Sequence, residues 1–205
     1  MQSLYQFIIT PTSNRYNNNK TVGDKDLILN TKIEDHTFVS KSAIIISTPS
    51  VFKTSVQEGD EVIVHHNIFR RWYDQKGRER NSSSFFKDNM YFCGIDQVYL
   101  FKKNNNWVTN LDYCFVKPIL SNSTLNIEKE KPLTGIIKYN NNILNSKGIK
   151  KEMLVTFSPN SEFEFIIDGE RLYCMKFNDI AIKHERKGNE EEYNPSWANS
   201  GSRTY

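Results

Sequence analysis

The chain has 205 residues, enough for one large domain or two small ones. A composition of 38% hydrophobic, 13% aromatic and 25% charged residues is globular and excludes wholesale disorder. A surplus of 27 Lys+Arg over 24 Asp+Glu gives +3, too mild to predict a nucleic-acid binder, and no apolar run approaches the ~18–20 residues that span a bilayer.

In chain order, residues 1–15 have no charged stretch ahead of their short apolar run, so no signal peptide is expected. Short segments rich in β-branched and aromatic residues then recur at 5–9, 43–46, 61–64, 97–101, 113–116, 135–137, 153–157, 162–167 and 179–182. They alternate with period 2, and turn-prone residues separate them, notably the Asn runs at 17–19, 104–106 and 140–142. Asp168-Gly169 between two such segments predicts a tight hairpin. No window of a dozen residues keeps a 3.6 period, so the reading is an all-β protein with little helix.

The pattern is duplicated. Residues 8–11 lie over 115–118, 42–45 over 134–137, 56–67 over 149–160, and 91–100 over 173–182, always in the same order. The offset falls from 107 to 92 between the first two blocks, so the first copy carries 15 more residues there; it falls again from 93 to 82 after the third, a further 11. Two enlarged loops result, 12–41 and 68–89, and loops carry function more often than scaffold does. Glu152 stands where the first copy has Gly59, so the turn before the following strand is expected to differ. The divisions expected are 1–108, 109–184 and a tail, 185–205.

Val56-Gln57-Glu58-Gly59-Asp60-Glu61-Val62-Ile63-Val64, preceded by Lys41-Ser42-Ala43-Ile44 and followed by Asp96-Gln97-Val98-Tyr99-Leu100, resembles the GroES-type co-chaperonins, the chaperonin-10 family. The long duplicated form looks like that carried by tailed bacteriophages. The resemblance implies two tandem GroES-like small β-barrels and a homo-oligomeric ring, with a heptamer as the family's pattern. It also implies a non-enzymatic role without cofactor: capping a host chaperonin ring to assist folding of phage proteins in the host cytoplasm. By the same resemblance Leu27, Ile28 and Leu29, in the long loop, are the apolar triplet that docks on the chaperonin. Gly23-Asp24-Lys25-Asp26 departs from the family, which has glycines directly before the triplet, and the alternative is that the triplet is one more strand on its own barrel. Residues 47–58 are too few for the family's roof hairpin.

Other features carry weaker readings. Arg70, Arg71, Trp72, Arg78 and Arg80 form the most basic stretch; they suit phosphate contact, or a hairpin pairing with acids of a neighbouring subunit. His65 and His66, adjacent on a strand, point to opposite faces and do not suggest one metal site with His36. Cys93, Cys114 and Cys174 lack C-x-x-C spacing and read as buried small apolar residues. The tail, by itself, is expected to be disordered, with Tyr193, Trp197 and Tyr205 as anchors for a partner. A different class of function, a bacteriophage virion structural protein using the barrel as a ring or decoration subunit, would put these contacts between virion proteins. A nucleic-acid-binding barrel is the third reading.

Overall fold

A computed structural model of the chain describes residues 2–16, 19–22, 25–28, 35–121, 130–185, 188 and 190–199. The chain divides into two units, Met1–Trp107 and Val108–Tyr205. In chain order the first contains β1 (Phe7–Pro11), β2 (Asn19–Val22), β3 (Lys25–Ile28), β4 (Ser42–Ser47), β5 (Glu61–Val64), β6 (Arg71–Tyr73), β7 (Glu79–Asn81), β8 (Phe85–Lys87), β9 (Met90–Cys93) and β10 (Val98–Lys103). β11 (Asn106–Thr109) runs across the division. The second contains β12 (Tyr113–Leu120), β13 (Glu130–Tyr139), helix α1 (Asn142–Ser146), β14 (Leu154–Phe157), β15 (Phe163–Ile167), β16 (Glu170–Lys176), β17 (Ile180–His184) and α2 (Ser196–Asn199). The fold is all-β.

Period-2 alternation selects what is buried. In β4, Ala43, Ile45 and Ser47 are buried while Ile46 is exposed. The first core collects Phe7, Ile9, Ala43, Ile45, Val62 and Tyr91; the second collects Cys114, Val116, Ile137, Val155, Phe157 and Met175.

The main sheet of the first unit has the order β11-β10-β5-β4-β1-β9-β8, and that of the second has β15-β16-β12-β13-β14-β17. Read in reverse, the second repeats β10-β5-β4-β1-β9-β8 strand for strand. The register repeats too: Ile9 faces Ile45 as Val116 faces Ile137, Phe7 faces Cys93 as Cys114 faces Met175, and Ala43 faces Val62 as Gly135 faces Val155. The irregularity in the Val64/Val98 ladder recurs at Phe157/Ile180, and a 3-10 turn precedes β10 and its counterpart β17, Ile95–Gln97 and Phe177–Asp179. The duplication is thus one of hydrogen bonding as well as of pattern. Both sheets are open: among the described residues no ladder joins β11 to β8 or β15 to β17, so the strand pairing does not close into the expected barrels.

The turn at Glu152 corrects an expectation. It matches that at Gly59, both residues having positive φ. Asp168 and Gly169, with φ of 50° and 78°, close the β15–β16 hairpin in the left-handed region, as its sequence requires.

Candidate functional site

The two enlarged loops of the first unit each form a hairpin outside the main sheet. β2 pairs with β3, Lys20 opposite Leu27 and Asn19 opposite Ile28; β6 pairs with β7, Trp72 opposite Arg80. Leu27 and Ile28 therefore belong to a strand, though one paired in a separate two-stranded sheet; Leu29 lies outside the described residues.

The start of the first loop is tied to the second. Arg15 donates through Nε to the carbonyl of Phe69, through Nη1 to Asn81 Oδ1 at 2.6 Å and through Nη2 to the carbonyl of Arg70 at 3.0 Å. Its guanidinium also stacks over the Tyr91 ring at 5.2 Å. The Tyr16 hydroxyl accepts the Arg71 N–H at 2.6 Å, and the Arg71 guanidinium lies 4.6 Å from the Tyr16 ring centre. The sequence reading singled out the basic insertion and missed Arg15, whose partners lie more than fifty residues away.

Within the insertion the acids are local. Arg71 pairs with Glu79 at 2.9 Å, and Arg80 pairs with Asp74 at 3.0 Å. Asp74 also accepts the backbone N–H of Lys76 and of Arg78, which folds the turn. Within one copy of the chain, Arg71 and Arg80 thus have acids of their own hairpin as partners. Trp72 and Tyr73 are exposed. The Nε atoms of Arg70 and Arg71 are buried without a hydrogen-bond partner.

The histidines also need correction. β5 ends at Val64, and a 3-10 turn, His66–Ile68, redirects the chain. His65 and His66 therefore do not point apart: their rings stack at 4.4 Å, and His36 lies 5.1 Å from His66. Burial, and then the nearby His65, His36, Lys41 and Arg70, hold His66 down at about 3. Burial likewise lowers His65, so these two rings resist protonation. Among the described residues no group of three or more His, Cys, Asp or Glu is arranged to hold a metal. The three cysteines are buried and free, and burial pushes the Cys114 thiol up to about 12. No described helix is long and apolar enough to cross a membrane.

The tail, expected to be disordered, is seated on the second unit. Leu120 donates to the carbonyl of Glu191 at 2.8 Å and Tyr193 to that of Pro118 at 2.8 Å, making a bridge between Ile119 and Glu192. Lys117, almost wholly buried, pairs with Glu192 at 2.5 Å and with Glu170 at 3.1 Å. Asn194 caps the β15–β16 hairpin by accepting from the Arg171 N–H and donating to the carbonyl of Gly169, both at 3.0 Å. Tyr193 and Trp197 then face their own unit, while Tyr205 lies outside the described residues.

There they help to line a cleft of about 490 Å³ with Glu130, Glu162, Arg171 and Tyr173. Arg171 donates to Glu130 at 2.5 Å, to Glu164 at 2.7 Å and to the Tyr173 hydroxyl at 2.6 Å, and Tyr173 donates to Glu130 at 2.7 Å. Burial, with help from Glu130 and Glu162, pushes the Tyr173 phenol above its ordinary value. The Oε2 atom of Glu162 is buried with no hydrogen-bond partner.

The chain matches no family model and no curated protein.

Proposed function

We propose that this chain is a non-enzymatic co-chaperonin-like protein that caps a host chaperonin ring as a homo-oligomer, heptameric by the family's pattern, and assists folding of phage proteins. The observation that carries the reading is the β2–β3 hairpin: a ladder on the long loop between β1 and β4, outside the main sheet, that includes Leu27 and Ile28. An extended hairpin held apart from its sheet suits docking in a groove or edge-to-edge strand addition. The repeated six-strand unit, alike in order and register, supports the duplication that this reading includes.

The test is co-elution with a bacterial chaperonin ring and ATP, followed by light scattering, for wild type and for Leu27→Asp/Ile28→Asp. Binding by wild type that the double variant loses supports capping; a protein that ignores the ring overturns it.

A virion structural role is the second reading, and the seated tail favours it. Residues 191–194 are tied to β12 and the β15–β16 hairpin by hydrogen bonds and a buried lysine, as a fixed assembly subunit would need. Presence of the chain in purified particles, with no chaperonin binding, would establish that role.

A further inference from the structure

The reading through the β2–β3 hairpin makes no use of the cleft of the second unit, whose chemistry points elsewhere. Its charges do not balance. Glu130, Glu162 and the neighbouring Glu164 face one arginine, Arg171, whose donors go to Glu130, Glu164 and Tyr173. Glu162 is left with a buried carboxylate oxygen that accepts nothing. Desolvating such an oxygen without a partner is costly, and a bound donor would remove the cost.

The walls favour a cation as that donor. Tyr173, Tyr193 and Trp197 line the cleft. Two of these rings already take a guanidinium: Arg171 lies 5.0 Å from the centre of Tyr173 and 5.9 Å from that of Trp197. Rings beside carboxylates attract organic cations through their negative faces, while an anion would meet the excess carboxylates.

The first unit shows why the space is open. Tyr91 holds the place of Tyr173 in the repeat, and there Phe69 packs edge-to-face on it at 4.9 Å while Arg15 stacks at 5.2 Å. Phe69 is fully buried. It enters on the enlarged loop, which is 11 residues shorter in the second copy, and the equivalent ring there borders a cleft.

We propose that this cleft binds a guanidinium or ammonium group, with Glu162 as its counter-ion and the rings of Tyr173, Tyr193 and Trp197 as its walls. The tail completes the site by supplying two of the three rings.

Calorimetric titration of the full chain with N-acetyl-arginine methylamide tests this, with N-acetyl-glutamate methylamide as the anionic control. Saturable binding of the arginine probe alone is expected, weakened about tenfold or more in Glu162→Gln, which keeps the side-chain shape and removes the charge. Trp197→Leu should weaken it as well, with the far-ultraviolet dichroism of Glu162→Gln unchanged. Absence of saturable binding, equal affinity in Glu162→Gln, or equal binding of the glutamate probe would overturn the assignment. Two sources of the cation are then separated by comparing a five-residue peptide carrying a central arginine with free agmatine. Tighter binding of the peptide assigns the site to a partner protein's basic side chain, and equal or tighter binding of agmatine to a small free amine.

Discussion

Gly59 and Glu152 occupy the same place in the two units and make the same bond: Gly59 donates to the carbonyl of Ile45 at 2.8 Å, Glu152 to that of Ile137 at 2.9 Å. Their φ angles are 87° and 67°. Glycine takes this conformation freely, whereas a side chain costs about 1 kcal/mol or more. The sheet register holds Glu152 in place against that cost. Glu152→Gly is therefore expected to hold or raise stability, by up to about 1 kcal/mol, and Gly59→Ala to lower it by about 1 kcal/mol. Space is not the issue at Gly59, where an added Cβ would meet nothing within 4 Å. Urea denaturation of the two variants checks both signs; a loss of stability in Glu152→Gly would refute the account.

Lys117 joins the tail to the second sheet. Lys117→Met should leave Glu170 paired with Lys138, 2.8 Å away, and deprive Glu192 of its partner. Removing one member of a buried pair is costly, here about 2 kcal/mol. Hydrogen exchange should quicken at the amides of Leu120 and Tyr193, whose bonds hold the tail strand. Unchanged exchange at both would mean that the backbone bridge, not the lysine, seats the tail.

Arg15 is expected to matter more than any arginine of the basic insertion. Arg15→Ala removes three donated bonds and a ring contact, and should cost about 2 kcal/mol or more. Arg15→Lys should recover little, because one ammonium cannot reproduce the planar fork. Arg80→Ala, which breaks an exposed pair, should change stability by less than about 1 kcal/mol. Denaturation midpoints of the three variants provide the comparison.

Acid should weaken the first unit through His66. Its folded value, about 3, lies below the unfolded imidazole's, about 6.5, so below pH 6.5 the unfolded chain binds more protons. Stability is therefore full above the unfolded value and falls as pH drops toward about 3. His66→Gln, which does not titrate, should show a shallower acid limb in denaturation midpoints between about pH 7 and pH 4. An unaltered slope would place the acid sensitivity elsewhere.

What could be read from the sequence were properties of near neighbours. Alternation of apolar residues marks strands because successive side chains leave a strand on opposite faces, and Asp168-Gly169 marks a hairpin because both residues accept positive φ. Repetition of those patterns marked a duplicated β unit, while the strand order came from the structure. The cysteines were legible as buried for the same reason. Three features were not. The His65–His66 stack depends on where β5 stops, which alternation alone does not mark. Arg15 meets Phe69 and Asn81 only when two distant loops close on each other. The tail looks disordered because it has no apolar face of its own; its partners are Lys117 and the backbone of β12, supplied by the folded unit. Composition and period thus determined the strands and their duplication, while the turn at Glu152, the histidine cluster and the aromatic cleft were decided by contacts that exist only once the sheets have formed.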